Sequence, residues 1–94
     1  MNYVDELAAA IRARLPDDRW PDTGAEALTR LYALLALAKG TEVSAEDVHD
    51  AWAVWKAGSD PDHESLRPFA ELDAETRRRD EPYAEAIRHA AARR

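Results

Sequence analysis

Hydrophobic positions recur along this chain three or four residues apart, the spacing of a helical face, and no segment sustains the two-residue alternation of a half-buried strand. Val4, Leu7, Ala8, Ile11 and Leu15 line one side of a first helix, with Asp5, Glu6, Arg12 and Arg14 on the remainder. That helix should end near Leu15, because Pro16 disfavours helical backbone in the residue before it. The segment Pro16 to Asp22 reads as a loop whose Trp20 either folds back as an anchor against the helices or stands exposed as a contact site. A second helix, capped by Asp22 or Thr23, runs to Lys39, and Gly40 is placed to adopt the left-handed termination. Its stripe of Leu28, Leu31, Tyr32, Leu35 and Ala38, widened by Leu34 and Leu37, is broad enough for two neighbours, which makes this the expected central helix.

Ser44 opens a third helix as N-cap, and Asp47 completes a capping box in which a shorter acid replaces the preferred glutamate. Val48, Ala51, Trp52 and Trp55 form its expected buried stripe, and Gly58 with the following SDPD ends it. Leu66, Pro68, Phe69 and Leu72 read as apolar pegs that pin an ordered loop to the helices. Asp73 caps a short helix through Arg79. Pro82, tolerated only in a first turn, then implies a bend at Asp80 or Glu81 and a final helix to about Ala92, with Tyr83, Ala84, Ile87, Ala90 and Ala91 inside. The pattern predicts one all-α domain over residues 1–94, a compact bundle of four to five short helices with an ordered proline-anchored loop.

Ninety-four residues bury roughly 60–65% of their extended surface, so the core is thin, and a homodimer would relieve it. Nineteen acidic side chains against thirteen Lys and Arg leave a formal charge of -6, with the acidic excess mainly in the first half, and this argues against duplex nucleic acid as a partner. The basic clusters, Arg77 to Arg79 and Arg93 with Arg94, carry no interleaved aromatic residues and read as solvated surface. No cysteine is present, which excludes disulfides, thiolate chemistry and cysteine-based zinc sites. The longest apolar stretch, Leu31 to Ala38, is too short to span a bilayer, and the N-terminus lacks a basic segment before an apolar core. A cytoplasmic protein is the expectation.

His49 and His63 lie on the third helix and in the loop after it, among Asp47, Asp50, Asp60, Asp62 and Glu64, yet no HExxH, calcium loop or dense ligand spacing accompanies them. No metal or cofactor is therefore expected. With only three glycines the chain offers no phosphate loop and no turn suited to an oxyanion hole, so catalysis is not expected either. His49 should flank Trp52 and donate a ring hydrogen to a backbone carbonyl, while His63 organises its loop. Trp52 and Trp55 fall on one side of the helix. They serve either as core or as walls of an aromatic pocket rimmed by His49, His63 and Arg67, which would suit a base, a nucleotide or a partner side chain.

Val48-His49-Asp50-Ala51-Trp52 resembles the histidine-acid-x-tryptophan helix of the ryanodine-receptor repeat, and His63 to Leu72, HESLRPFAEL, is similar to its following histidine-x-x-leucine-x-proline-aromatic-x-x-leucine segment. Asp80 and the Ile87 helix correspond in order to the repeat's acidic residue and closing helix, so the resemblance spans Ser44 to Ala91. It implies a binding module, with a nucleotide-like ligand suggested by prokaryotic relatives. Lys56 to Asp62 is shorter and more acidic than the receptor loop, and a channel role does not transfer. The whole chain, including MNYVDELAAAIRARLP and DEPYAEAIRHAA, also resembles a family of small uncharacterised proteins of actinobacterial phages, which implies the cytoplasm of an infected bacterium.

Together these readings lead to an expectation of a small acidic, non-catalytic protein that contacts a host or phage protein, with Trp20 and Tyr3 as candidate surface aromatics. The alternative is a module that senses or sequesters a nucleotide or other small ligand through His49, Trp52, Trp55, His63 and Arg67.

Overall fold

Four helices of ten to fifteen residues and one short one account for most of the chain in a computed structural model, which describes residues 2–94. Helix α1 covers Tyr3–Arg12, α2 Ala25–Lys39, α3 Ala45–Ala57, α4 Ala74–Arg78 and α5 Glu81–Ala92, with single 3₁₀ turns at Asp17–Arg19, Gly40–Glu42 and Phe69–Glu71. The protein is a compact all-α bundle. As the pattern predicts, α2 is central and packs against α1, α3 and α5.

Local capping explains most of the boundaries. Asn2 accepts from the Asp5 N–H at 2.8 Å to start α1, and Asp73 accepts from the Thr76 N–H at 2.7 Å to start α4. At α3 the capping box forms in full: Ser44 Oγ accepts from the Asp47 N–H at 3.2 Å, and Asp47 Oδ2 accepts from the Ser44 N–H at 2.9 Å. Lys39 adds an ion pair to Asp47 at 2.9 Å. Burial acts upward on that carboxyl, but these donors outweigh it and hold Asp47 below the usual carboxylate range. Pro82 stands in the first turn of α5, where its missing N–H costs nothing.

Two boundaries differ from expectation. Helix α1 stops at Arg12 rather than near Leu15, because Ala13 to Leu15 turn early to carry the chain toward Trp20. Helix α2 is capped by neither Asp22 nor Thr23. Gly24 occupies the N-cap with φ +77°, and a Cβ there would meet the Trp55 indole at 3.1 Å, so both the backbone and the packing require glycine.

The core is built on Ile11, Tyr32, Val43, Val48 and Ile87. On α2 the buried line is Ala25, Leu28, Thr29, Tyr32, Ala33 and Ala36, whereas Leu34 and Ala38 are exposed. The expected leucine stripe is therefore rotated. Small residues sit where α2 meets its neighbours, and the bulkier Leu31, Leu35 and Leu37 fill the flanks. On α3 the innermost positions are Val48, His49 and Ala51, while Trp52 and Trp55 are half-buried rather than core.

Trp20 is buried, at 5% exposure, and acts as an anchor rather than a contact site. Its indole donates to the Arg12 carbonyl at 3.1 Å, and its ring packs with Tyr32 and edge-on with Tyr83 at 5.4 Å between centroids. Tyr83 donates to the Arg19 carbonyl. One aromatic cluster thus pins the Pro16 to Asp22 loop between α2 and α5.

Candidate functional site

Helix α3 places His49, Trp52, Trp55 and Lys56 along one side, and the loop after it folds back over that side. His49 Nε2 donates to the Arg67 carbonyl at 2.7 Å, a direction fixed by the carbonyl being an acceptor only. Phe69 packs against the same imidazole at 6.1 Å, and Leu72 is buried below. Pro68 itself is exposed and contributes through its backbone, opening the turn Phe69–Glu71. His63 Nδ1 accepts from the Ser65 N–H at 3.0 Å and so organises its loop. The rings of His49 and Trp52 stack at 5.7 Å, and His63 meets Trp52 edge-on at 5.3 Å. The two histidines and Trp52 therefore share one neighbourhood, as the sequence predicts.

Beside these rings lies an open cleft of roughly 390 Å3, within the range of small-molecule sites. Its walls are Leu28, Tyr32, Pro21, Tyr83 and the indoles of Trp52 and Trp55, and its polar lining comes from Arg19, Lys56, Arg79, His49, His63, Ser65, Thr76 and Asp80. Trp55 is held in place by donating to the Gly24 carbonyl at 3.0 Å, and Lys56 lies over its ring at 5.7 Å. Three cationic side chains and one carboxylate line this cleft in a protein of net charge -6. Arg79 also meets Glu75 at 4.0 Å, but both side chains are solvent-exposed and such a pair holds neither firmly.

Asp80 is the acid of the cleft. Its carboxylate faces His49 Nδ1 at 4.0 Å, beyond hydrogen-bond range, with a side chain 17% exposed. Burial pushes the carboxyl up to about 6, and the adjacent imidazole pulls it partly back. Tyr32 is raised further, by burial first and then by Tyr83 and Asp80, and stays a neutral phenol.

Of the residues predicted from sequence, the structure brings His49, Trp52, Trp55 and His63 to one cleft. Arg67 supplies its carbonyl to His49, whereas its side chain lines a separate surface depression with Glu64 and Asp73; it does not rim the indoles. Trp20 belongs to the core beneath. Sequence reasoning missed Arg19, Lys56, Arg79 and the site role of Asp80. In the sequence Arg79 belongs to a basic run that reads as solvated surface, although the acid that follows it matches the repeat's acidic residue. Among the described residues no group of three His, Asp or Glu side chains could hold a metal ion, and no helix is long and apolar enough to cross a membrane.

No curated protein and no solved structure matches the chain. A family does, over residues 2–92, described as Domain of unknown function (DUF7701).

Proposed function

The chain belongs to the DUF7701 family, a domain of unknown function, and from the cleft we propose that it is a small-ligand-binding module that senses or sequesters a nucleotide without catalysing its conversion. The observation that carries this reading is the pairing of two half-buried indoles with Arg19, Lys56 and Arg79 in one cleft of an otherwise acidic protein. Indole walls favour a flat ring, because stacking on an aromatic face contributes roughly 1–3 kcal/mol per base. Guanidinium and ammonium groups favour a phosphate, since charge-assisted hydrogen bonds are about twice as strong as neutral ones. A nucleotide joins both in one molecule. The part of the chain that resembles a ryanodine-receptor repeat supplies both indoles, Lys56 and Arg79, while Arg19, Pro21, Leu28 and Tyr32 come from outside it.

Binding to the folded state alone must raise apparent stability. A nucleoside monophosphate at a hundredfold excess over Kd should add about 2.7 kcal/mol and raise the melting temperature by on the order of 10 °C or more, with a change in tryptophan fluorescence. The matching nucleoside, lacking phosphate, should shift the melt much less, and the double variant K56A/R79A should bring nucleotide and nucleoside to the same level. No shift with any nucleotide at millimolar concentration removes the reading.

A second reading, contact with a host or phage protein, is favoured by exposed Tyr3 (66%) and Val54 (68%). Tyr3 borders a wide groove between α1 and α5 with Arg14, His89 and Arg93. Capture from host lysate that is lost in Tyr3→Ala, with nucleotide binding absent, would favour it.

A further inference from the structure

Two polar groups that adjoin the imidazole of His49, and make no hydrogen bond among the described residues, face the cleft. One is an acceptor, the Asp80 carboxylate, whose nearest basic neighbour is the imidazole of His49, with Nδ1 at 4.0 Å. The other is a donor, the indole N–H of Trp52, whose ring stacks on the same imidazole; the indoles of Trp20 and Trp55, by contrast, both reach backbone carbonyls. His49 cannot turn to serve Asp80 better, because its Nε2 is bound to the Arg67 carbonyl at 2.7 Å.

A carboxylate partly withdrawn from water, with no protein donor bonded to it, favours a ligand that brings donors. We propose that Asp80 makes this a guanine-selective nucleotide site, its carboxylate accepting from the ring N1–H and the 2-amino group while the cations of the cleft hold the phosphate. The inference rests on the nucleotide reading and adds the identity of the base. Guanine alone among the common bases presents two adjacent donors on one edge, which match the two oxygens of a carboxylate, and its neighbouring O6 is an acceptor for a donor such as the Trp52 N–H. Adenine turns a ring-nitrogen lone pair toward the same oxygens and is repelled. Burial raises the Asp80 carboxyl only to about 6, so at pH 7.5 it is ionised and acts as acceptor; His49, Arg79, Tyr32 and Tyr83 are the other titratable groups around it.

Titration of the unaltered protein with GMP, IMP and AMP at pH 7.5, read by tryptophan fluorescence, tests this without any substitution. IMP keeps N1–H and lacks the 2-amino group; AMP lacks both donors. The expected order is GMP tightest, IMP intermediate and AMP weakest, with GMP roughly tenfold or more ahead of AMP, the discrimination of one good bidentate pair. In Asp80→Asn the preference for GMP over AMP should disappear or invert, because the amide no longer repels the adenine ring nitrogen, and continued binding of AMP shows the variant to be folded. Equal affinity for the three nucleotides, or a guanine preference that survives in Asp80→Asn, overturns the assignment of the base and leaves nucleotide binding standing. Absence of binding by all three overturns both.

Discussion

At the scale of single residues, the unusual pair is His49 and Asp80. One imidazole nitrogen is spent on holding a backbone carbonyl, and the other faces a carboxylate too far away to bond. The consequence for stability has a definite sign. Asp80 has its carboxyl raised from 3.8 to about 6 by burial, so the folded state binds the proton more tightly than the unfolded chain. Its contribution is fully present below about pH 4 and is lost as pH rises through 6. Asp80→Asn, which imitates the protonated acid, should match the wild type near pH 4 and exceed it by on the order of 1–2 kcal/mol near pH 7. Urea denaturation of both proteins across that interval measures the difference, and a variant that loses ground as pH rises would contradict the buried-acid account.

At the scale of elements, the site depends on α3 and the loop of residues 58–73 lying against each other. Few contacts hold that loop: the His49 bond to the Arg67 carbonyl, the Phe69 ring, Leu72, the edge of His63 against Trp52 and the internal turn at His63. Replacing His49 by Phe keeps a ring of similar breadth but leaves the Arg67 carbonyl without its donor, which should cost about 1–3 kcal/mol. The loss should be local. Hydrogen exchange is expected to rise in residues 58–73 well before it rises in α1 or α2, because loops with few buried contacts open separately from the core. Uniform loss of protection across all helices would mean that the loop is an integral part of the core.

Taken whole, the molecule is a thin-cored bundle in which Tyr32 and Ala33 of α2 and Ala84 and Ile87 of α5 are buried together with Ile11, Val43 and Val48. Ile87 is fully buried where α5 faces the other helices, and Ile87→Ala should cost about 2–5 kcal/mol. Against a typical total of roughly 5–15 kcal/mol that is a large fraction, and for a domain of this size it lowers the melting temperature by on the order of 10 °C or more. A melt within a few degrees of wild type would show that another element fills the space.

Much of this architecture was legible beforehand, for reasons that differ by residue. Ser44 with Asp47, Asp73 and Pro82 marked helix starts because capping is a contact within three residues, which sequence order displays directly. Gly24 was missed for the opposite reason: its role comes from the Trp55 ring, which arrives from the far end of another helix. The leucine stripe of α2 misled because periodicity registers hydrophobicity and not size, and close helix contact favours Ala33 and Ala36 over the leucines beside them. The partnership of His49 with a carbonyl was foreseen in kind, since a buried imidazole needs an acceptor, but not in identity.

Helix content, caps, acidity and the absence of thiol chemistry thus follow from the order of residues alone, because each is a property of composition or of near neighbours. The cleft is different. It exists because Arg19, Trp52, Trp55, Lys56, Arg79 and Asp80 converge from three separate stretches of chain, and folding there gathers three cations and one acid out of a sequence whose average charge is negative. Averages along a chain carry no information about which side chains meet. Only packing, by turning some charges to solvent and others inward, decides that.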